Sequence, residues 1–264
     1  MSAVLYEVAD GIATITLNRP DRLNAWNGDM HKGYYGSLDQ AAADPDVRVI
    51  VITGAGRGFC AGADMQSLQQ IGDAGGLSDG ERSEPQSHHQ ATYPVKLPKP
   101  VIAAVNGACA GLGLVHALAA DLRFAAAGAK FTVAFSRRGL IGEHGISWTL
   151  PRLVGQSVAL DLMMSGRVIV AEEAAELGLV NKVVPADELM DHTYAYAKDL
   201  AVNASPTSMA IMKQQVYNHP QMSIDDALAD SIDLMHKSLR RPDFKEGVAS
   251  FVEKRPPAFA PYES

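Results

Sequence analysis

Two short glycine-bracketed turns and one carboxylate carry the chemistry this sequence could do. Ala61-Gly62-Ala63-Asp64 and Ala110-Gly111-Leu112-Gly113 each follow an apolar run suited to a strand. A strand that passes through glycines into a helix leaves backbone N–H groups unpaired, backed by the positive end of the helix dipole. Two such turns side by side can aim their N–H groups at one oxygen and so hold an anion or a developing oxyanion. The plainer alternative is that the glycines only let strand and helix pack closely. Glu143, in Gly142-Glu143-His144-Gly145 ahead of an apolar helix, reads equally as a general base at a pocket or as a surface carboxylate favoured by the helix dipole. Asp64 is a second acid in the neighbourhood, and capping a helix is its better reading.

Other familiar constellations are absent or incomplete. Gly54-Ala55-Gly56-Arg57-Gly58 suggests a dinucleotide fingerprint, but the third glycine would fall on Phe59 and no clean helix follows. There is no phosphate-loop or nucleophile-elbow pattern. His88 and His89 are sequence neighbours whose side chains diverge, and His116 has no partner one helical turn on, so no metal site is proposed. A formal charge of −7 argues against general binding of nucleic acid or an anionic membrane. No apolar run reaches the roughly 18 residues of a membrane span. The start, MSAVLYEVADG, lacks the basic and apolar regions of a signal peptide. Cys60 and Cys109 lie in apolar or glycine-rich stretches and read as reduced, buried thiols. A cytoplasmic location is expected.

The elements that must position these residues alternate first and then become helical. Val4 to Asp10 and Ile12 to Leu17 flank Asp10-Gly11, a hairpin signal. Asn27 caps a predicted helix over 28–43, and Val47 to Thr53 forms a buried strand. The piece from Gly72 to Gln86 reads as a mobile surface loop. Val101 to Val105 is a buried strand that leads through glycines to a helix over 114–120, and Leu122 to Phe135 looks extended. Helices are expected at 146–154, 157–165 and 171–177, with a strand at 181–184. The remainder is helical, over about 187–203, 206–217, 223–239 and 242–253. The reading is an α/β core over residues 1–186 and a helical region over 187–264.

Several stretches together resemble the crotonase superfamily, the enoyl-CoA hydratase/isomerase family. They are Ile15-Thr16-Leu17-Asn18-Arg19-Pro20, Val51-Ile52-Thr53-Gly54, Phe59-Cys60-Ala61-Gly62-Ala63-Asp64, Lys99-Pro100 through Asn106-Gly107, Leu150-Pro151-Arg152-Leu153-Val154-Gly155 and Phe251-Val252-Glu253-Lys254-Arg255. The resemblance implies a spiral of stacked ββα units with a C-terminal helical oligomerisation region, assembled as a homotrimer or a dimer of trimers. It implies an acyl-CoA substrate and no separate cofactor, coenzyme A being part of the substrate. The thioester oxygen would be held by the N–H groups of Ala63 and Leu112, with Ala61, Gly111 and Met65 beside them. Arg22, Leu23 and Ala25 would lie along the CoA, and Lys254 would approach its adenine-phosphate end from the same or a neighbouring subunit.

The departures from the family pattern redirect the chemistry. The two glutamates of the family's hydratases fall on Val115 and Phe135, so both carboxylates are missing. A third position, acidic in some isomerases, falls on Glu143. The surrounding residues resemble the ring-epoxide and dienoyl-CoA isomerases, which carry Asp there. The resemblance therefore implies an isomerase with Glu143 as the proton carrier and Val115 and Phe135 in an apolar lining. A hydratase that pairs Glu143 with Asp64 or His144, and an acyl-CoA-binding protein without catalysis, are the alternatives.

Overall fold

The computed structural model describes residues 2–73, 75 and 90–262. Strands β1 (Val4–Ala9) and β2 (Ile12–Leu17) form the expected antiparallel hairpin, with Val4 opposite Leu17 and Ala9 opposite Ile12. Asp10 and Gly11 both take positive φ, the backbone twist a two-residue hairpin turn demands. Helix α1 (Gly28–Ala43) begins where Asn27 accepts the Met30 N–H, 2.9 Å away.

From β3 (Val49–Gly54) onward the chain repeats one turn of a spiral: a strand in a large sheet, a short strand in a small sheet, then helical structure. The first turn is β3, β4 (Gly58–Cys60) and α2 (Met65–Asp73). The second is β5 (Val101–Val105), β6 (Ala108–Ala110) and α4 (Leu112–Ala119), entered through the short α3 (Tyr93–Lys96). The third is β7 (Leu122–Ala126), β8 (Lys130–Thr132), then α5 (Ile146–Val154) and α6 (Gln156–Ser165). After it come β9 (Ile169–Val170), α7 (Ala171–Glu176) and β10 (Lys182–Val184). The large sheet runs β1-β2-β3-β5-β7-β10 and is parallel except for its first pair; the small one runs β4-β6-β8-β9. β3 and β5 are buried along their whole length, which is why they read as unbroken apolar runs instead of alternating ones.

This is the expected α/β crotonase fold. Two local expectations need correction. The extended stretch over 122–135 is two strands, broken where Gly128 takes φ 74°. The supposed surface loop over 72–86 begins inside α2, which ends at Asp73; the rest of it, and His88 and His89, lie outside the described residues, Gly75 apart.

Four helices close the chain: α8 (Leu189–Asn203), α9 (Pro206–Asn218), α10 (Ile224–Ser238) and α11 (Pro242–Glu253). α8 packs on β2, β3, β5 and β7 of the large sheet. α9 is tied to the core at Asp121, whose Oδ2 accepts the Val101 N–H and the Lys213 ammonium while Oδ1 accepts the Tyr217 hydroxyl. Lys213 also donates to the carbonyls of Pro94 and Lys99, so its buried charge is fully hydrogen-bonded. Among the described residues no helix is long and apolar enough to cross a membrane.

Candidate active site

The register of the small sheet assembles the site. Cys60 of β4 pairs with Cys109 of β6, and Cys109 with Phe131 of β8. Three residues beyond each stand Ala63, Leu112 and Ala134, and all three border one cavity of about 870 Å3. Both cysteines are buried, and burial pushes the Cys60 thiol up to about 11.

The two glycine turns touch. Gly111 holds φ 50° and ψ −118°, a conformation closed to residues with a side chain. Gly62 holds φ 101°, and a Cβ there would stand 2.9 Å from the Ala110 carbonyl oxygen and 3.8 Å from the Gly111 Cα. Leu112 is the first residue of α4, so its N–H has no carbonyl in its own helix. Ala63 faces Trp26 in an isolated parallel bridge in which the Trp26 N–H reaches the Gly62 carbonyl at 2.7 Å and the Asp64 N–H reaches the Trp26 carbonyl at 2.9 Å. Alternation along that bridge turns the Ala63 N–H away from Trp26. Among the described residues neither the Ala63 nor the Leu112 N–H donates to another backbone or side-chain group.

An aromatic contact ties the two turns together from behind. The Trp26 indole stacks on the His116 imidazole, 3.9 Å between centroids and 18° between planes, and His116 sits one turn into α4. Burial, with His144 and His31 nearby, drives the His116 pKa down to about 3, so the ring is neutral. Among the described residues its Nδ1 has no hydrogen-bond partner.

Among the described residues two carboxylates line the cavity, with different partners. Asp64 Oδ2 is held by the Arg19 guanidinium at 2.9 Å, and its Oδ1 accepts the Gln66 N–H at 3.1 Å. Arg19 first, and then the Gln66 N–H, keep the Asp64 pKa below its ordinary value. The carbonyl of Asp64 also accepts the Leu68 N–H, so this residue is the N-cap of α2. Glu143 lies in the loop before α5, fixed by its carbonyl at the Ile146 N–H, with a side chain 32% exposed. Among the described residues its ion-pair partner is His144, whose Nε2 is 3.8 Å from Oε2.

Other expected residues divide. Arg22, Ala25, Ala61, Met65, Gly111 and Phe135 line the cavity with Ala63, Asp64, Leu112 and Glu143. Val115 does not: it lies deeper in α4, buried in the core. Leu23 is not in the wall either; it closes the turn at Pro20–Arg22 and receives the Ala61 N–H on its carbonyl. Lys254 caps the exposed end of α11 and does not border this cavity. Residues the sequence reading did not single out also line the wall, chiefly Leu68, Ile71, Ala134, Arg138 and Leu140, with His144, named there only as a partner for Glu143. The first two carried a signal, since Met65, Leu68 and Ile71 recur at the three-residue spacing of one helix face.

The model of one protein family, Enoyl-CoA hydratase/isomerase, matches residues 7–261. The chain belongs to that family. Among members of the family, the 1,2-epoxyphenylacetyl-CoA isomerase of Escherichia coli strain K12 is 38% identical over 261 residues, covering 98% of each chain. The crystal structure of an enoyl-CoA hydratase, EchA12_1, from Mycobacterium marinum is 51% identical and superposes with a TM-score of 0.71 over 84% of this chain and all of that one. That of an enoyl-CoA hydratase from Polaromonas sp. JS666 is 32% identical, with a TM-score of 0.86 over 97% of this chain and 99% of the other. This member of the enoyl-CoA hydratase/isomerase family is an acyl-CoA-processing enzyme.

Proposed function

We propose that the enzyme is an enoyl-CoA isomerase in which Glu143 moves a proton between two carbons of the acyl chain. The observation that carries this reading is the contrast between the two cavity acids. Asp64 is neutralised by Arg19, while Glu143 has no lysine or arginine partner among the described residues. Glu143 breaks the C–H bond at C2 of a 3-enoyl thioester, and the electron pair passes into the carbonyl as a dienolate. The N–H groups of Ala63 and Leu112 receive the charge on oxygen. The protonated Glu143 then delivers its proton to C4, and the double bond ends between C2 and C3. One carboxylate suffices, because no water is added. Val115 and Phe135 at the hydratase positions support this, as does the likeness to a relative named an isomerase.

One observation favours a second reading. His144 stands beside Glu143 and also lines the cavity, so a hydratase could divide base and acid work between them. Incubation with 3-enoyl-CoA and 2-enoyl-CoA in deuterated water, followed by mass and NMR, separates the two. Double-bond migration with deuterium incorporation is expected, falling by about 10²–10⁴-fold in Glu143→Gln. Formation of a 3-hydroxyacyl-CoA, or unchanged turnover in that variant, overturns the isomerase.

The assembly we propose is a homotrimer or a dimer of trimers formed through the C-terminal helices. It is supported by the apolar surface that α10 and α11 leave exposed, including Ile224, Leu228, Phe251 and Val252.

A further inference from the structure

Arg138 borders the same cavity as Glu143 and the two glycine turns. Among the described residues its guanidinium makes one hydrogen bond, from Nη1 to the Ala134 carbonyl at 3.3 Å, and no carboxylate forms an ion pair with it. Ala134 holds φ 62°, an uncommon conformation for a residue with a side chain, and it too borders the cavity. The bond therefore fixes one edge of the guanidinium at the cavity wall and leaves Nε and Nη2 to receive a second group. The same cavity is lined by the apolar side chains of Phe135 and Leu140 from the same segment and of Leu68 and Ile71 from α2. A neutral aliphatic chain placed there would strip water from the cation and return nothing. A carboxylate would return two charge-assisted hydrogen bonds. The cavity's acids among the described residues do not serve: Asp64 is engaged by Arg19, and Glu143 forms no ion pair with Arg138.

We propose that Arg138 binds a carboxylate at the far end of the acyl group, so that the preferred substrates are CoA thioesters of unsaturated dicarboxylic acids. This rests on the reading of the cavity as the acyl-CoA site but not on the direction of proton transfer. Arg138 is exposed, so water competes for it and the discrimination expected is about fivefold, not thousandfold.

The test uses saturated esters, which cannot isomerise or hydrate and so report binding alone. Calorimetry with hexanoyl-CoA, adipoyl-CoA and free CoA is expected to show adipoyl-CoA bound about fivefold more tightly than hexanoyl-CoA. In Arg138→Met that ratio is expected to fall to about one, and Arg138→Lys is expected to keep part of it. A wild-type ratio of one or less, or a ratio unchanged in Arg138→Met, overturns the proposal. Equal weakening of all three ligands, free CoA included, also overturns it and assigns the guanidinium to the CoA phosphates. Failure of the isomerase reading would appear in the deuterium experiment and leave this ratio untouched.

Discussion

At the scale of single residues, the two backbone donors are harder to test than a side chain, yet one of them can be deleted cleanly. Leu112 is the first residue of α4, the helical position that best tolerates proline. The residue before it, Gly111, has φ 50° and ψ −118°. For an achiral glycine this is the mirror image of the extended conformation that precedes proline without strain. Leu112→Pro should therefore fold and lose the N–H. A fall of about 10²–10³ in kcat on 3-enoyl-CoA, with binding of the saturated ester largely kept, is expected. Equal kcat in the variant and the wild type would remove Leu112 from the oxyanion-binding role. The glycine turns around these donors were legible because glycine in that pattern has few other uses. Arg138 and His144 as wall residues were not, since a loop side chain acquires its direction only from the backbone that holds it: Ala134 and His144 both adopt positive φ with no glycine to announce it.

At the scale of elements, the Trp26–His116 stack joins the bridge strand behind Ala63 to the helix that begins at Leu112. Its imidazole is held neutral, with a pKa of about 3 against an ordinary 6.5. Between these values the unfolded chain binds a proton that the folded chain refuses, so acid favours unfolding. The loss starts as the pH falls through about 6.5 and continues towards 3. From pH 7 to pH 5 this one site should remove about 2 kcal/mol. His116→Phe keeps a flat ring on Trp26 and abolishes the titration. Urea unfolding at one protein concentration should show the variant losing that much less stability over the same interval; equal losses would mean that His116 is not the group responsible. Long elements such as β3, α1 and α8 to α11 were legible from period and caps, as with Asn27. The short strands β4, β6 and β9 were not, because two or three residues carry no period and gain their hydrogen bonds only from neighbours distant in sequence.

At the scale of the whole molecule, α10 and its C-cap Leu239 place Ile224, Leu228, Ile232, Met235 and Leu239 within an arc of about 80° at 100° per residue, all of them exposed. α11 adds Phe244, Val248, Phe251 and Val252. A stripe of that size facing water is unfavourable for a lone chain carrying a charge of only −7. Sedimentation velocity is expected to show a trimer or hexamer, and the double variant Leu228→Glu with Ile232→Glu to release monomers. A monomeric wild-type protein would overturn the proposed assembly. The contact between Gly62 and Gly111 has a consequence for how such a molecule can diversify. Because the two glycine turns lie in van der Waals contact, a shift in one is felt by the other, and the two donors proposed for the reacting carbonyl vary as a single part. Novelty in what is processed must enter through the walls, along α2 and the segment from Ala134 to His144, where replacements leave that part intact.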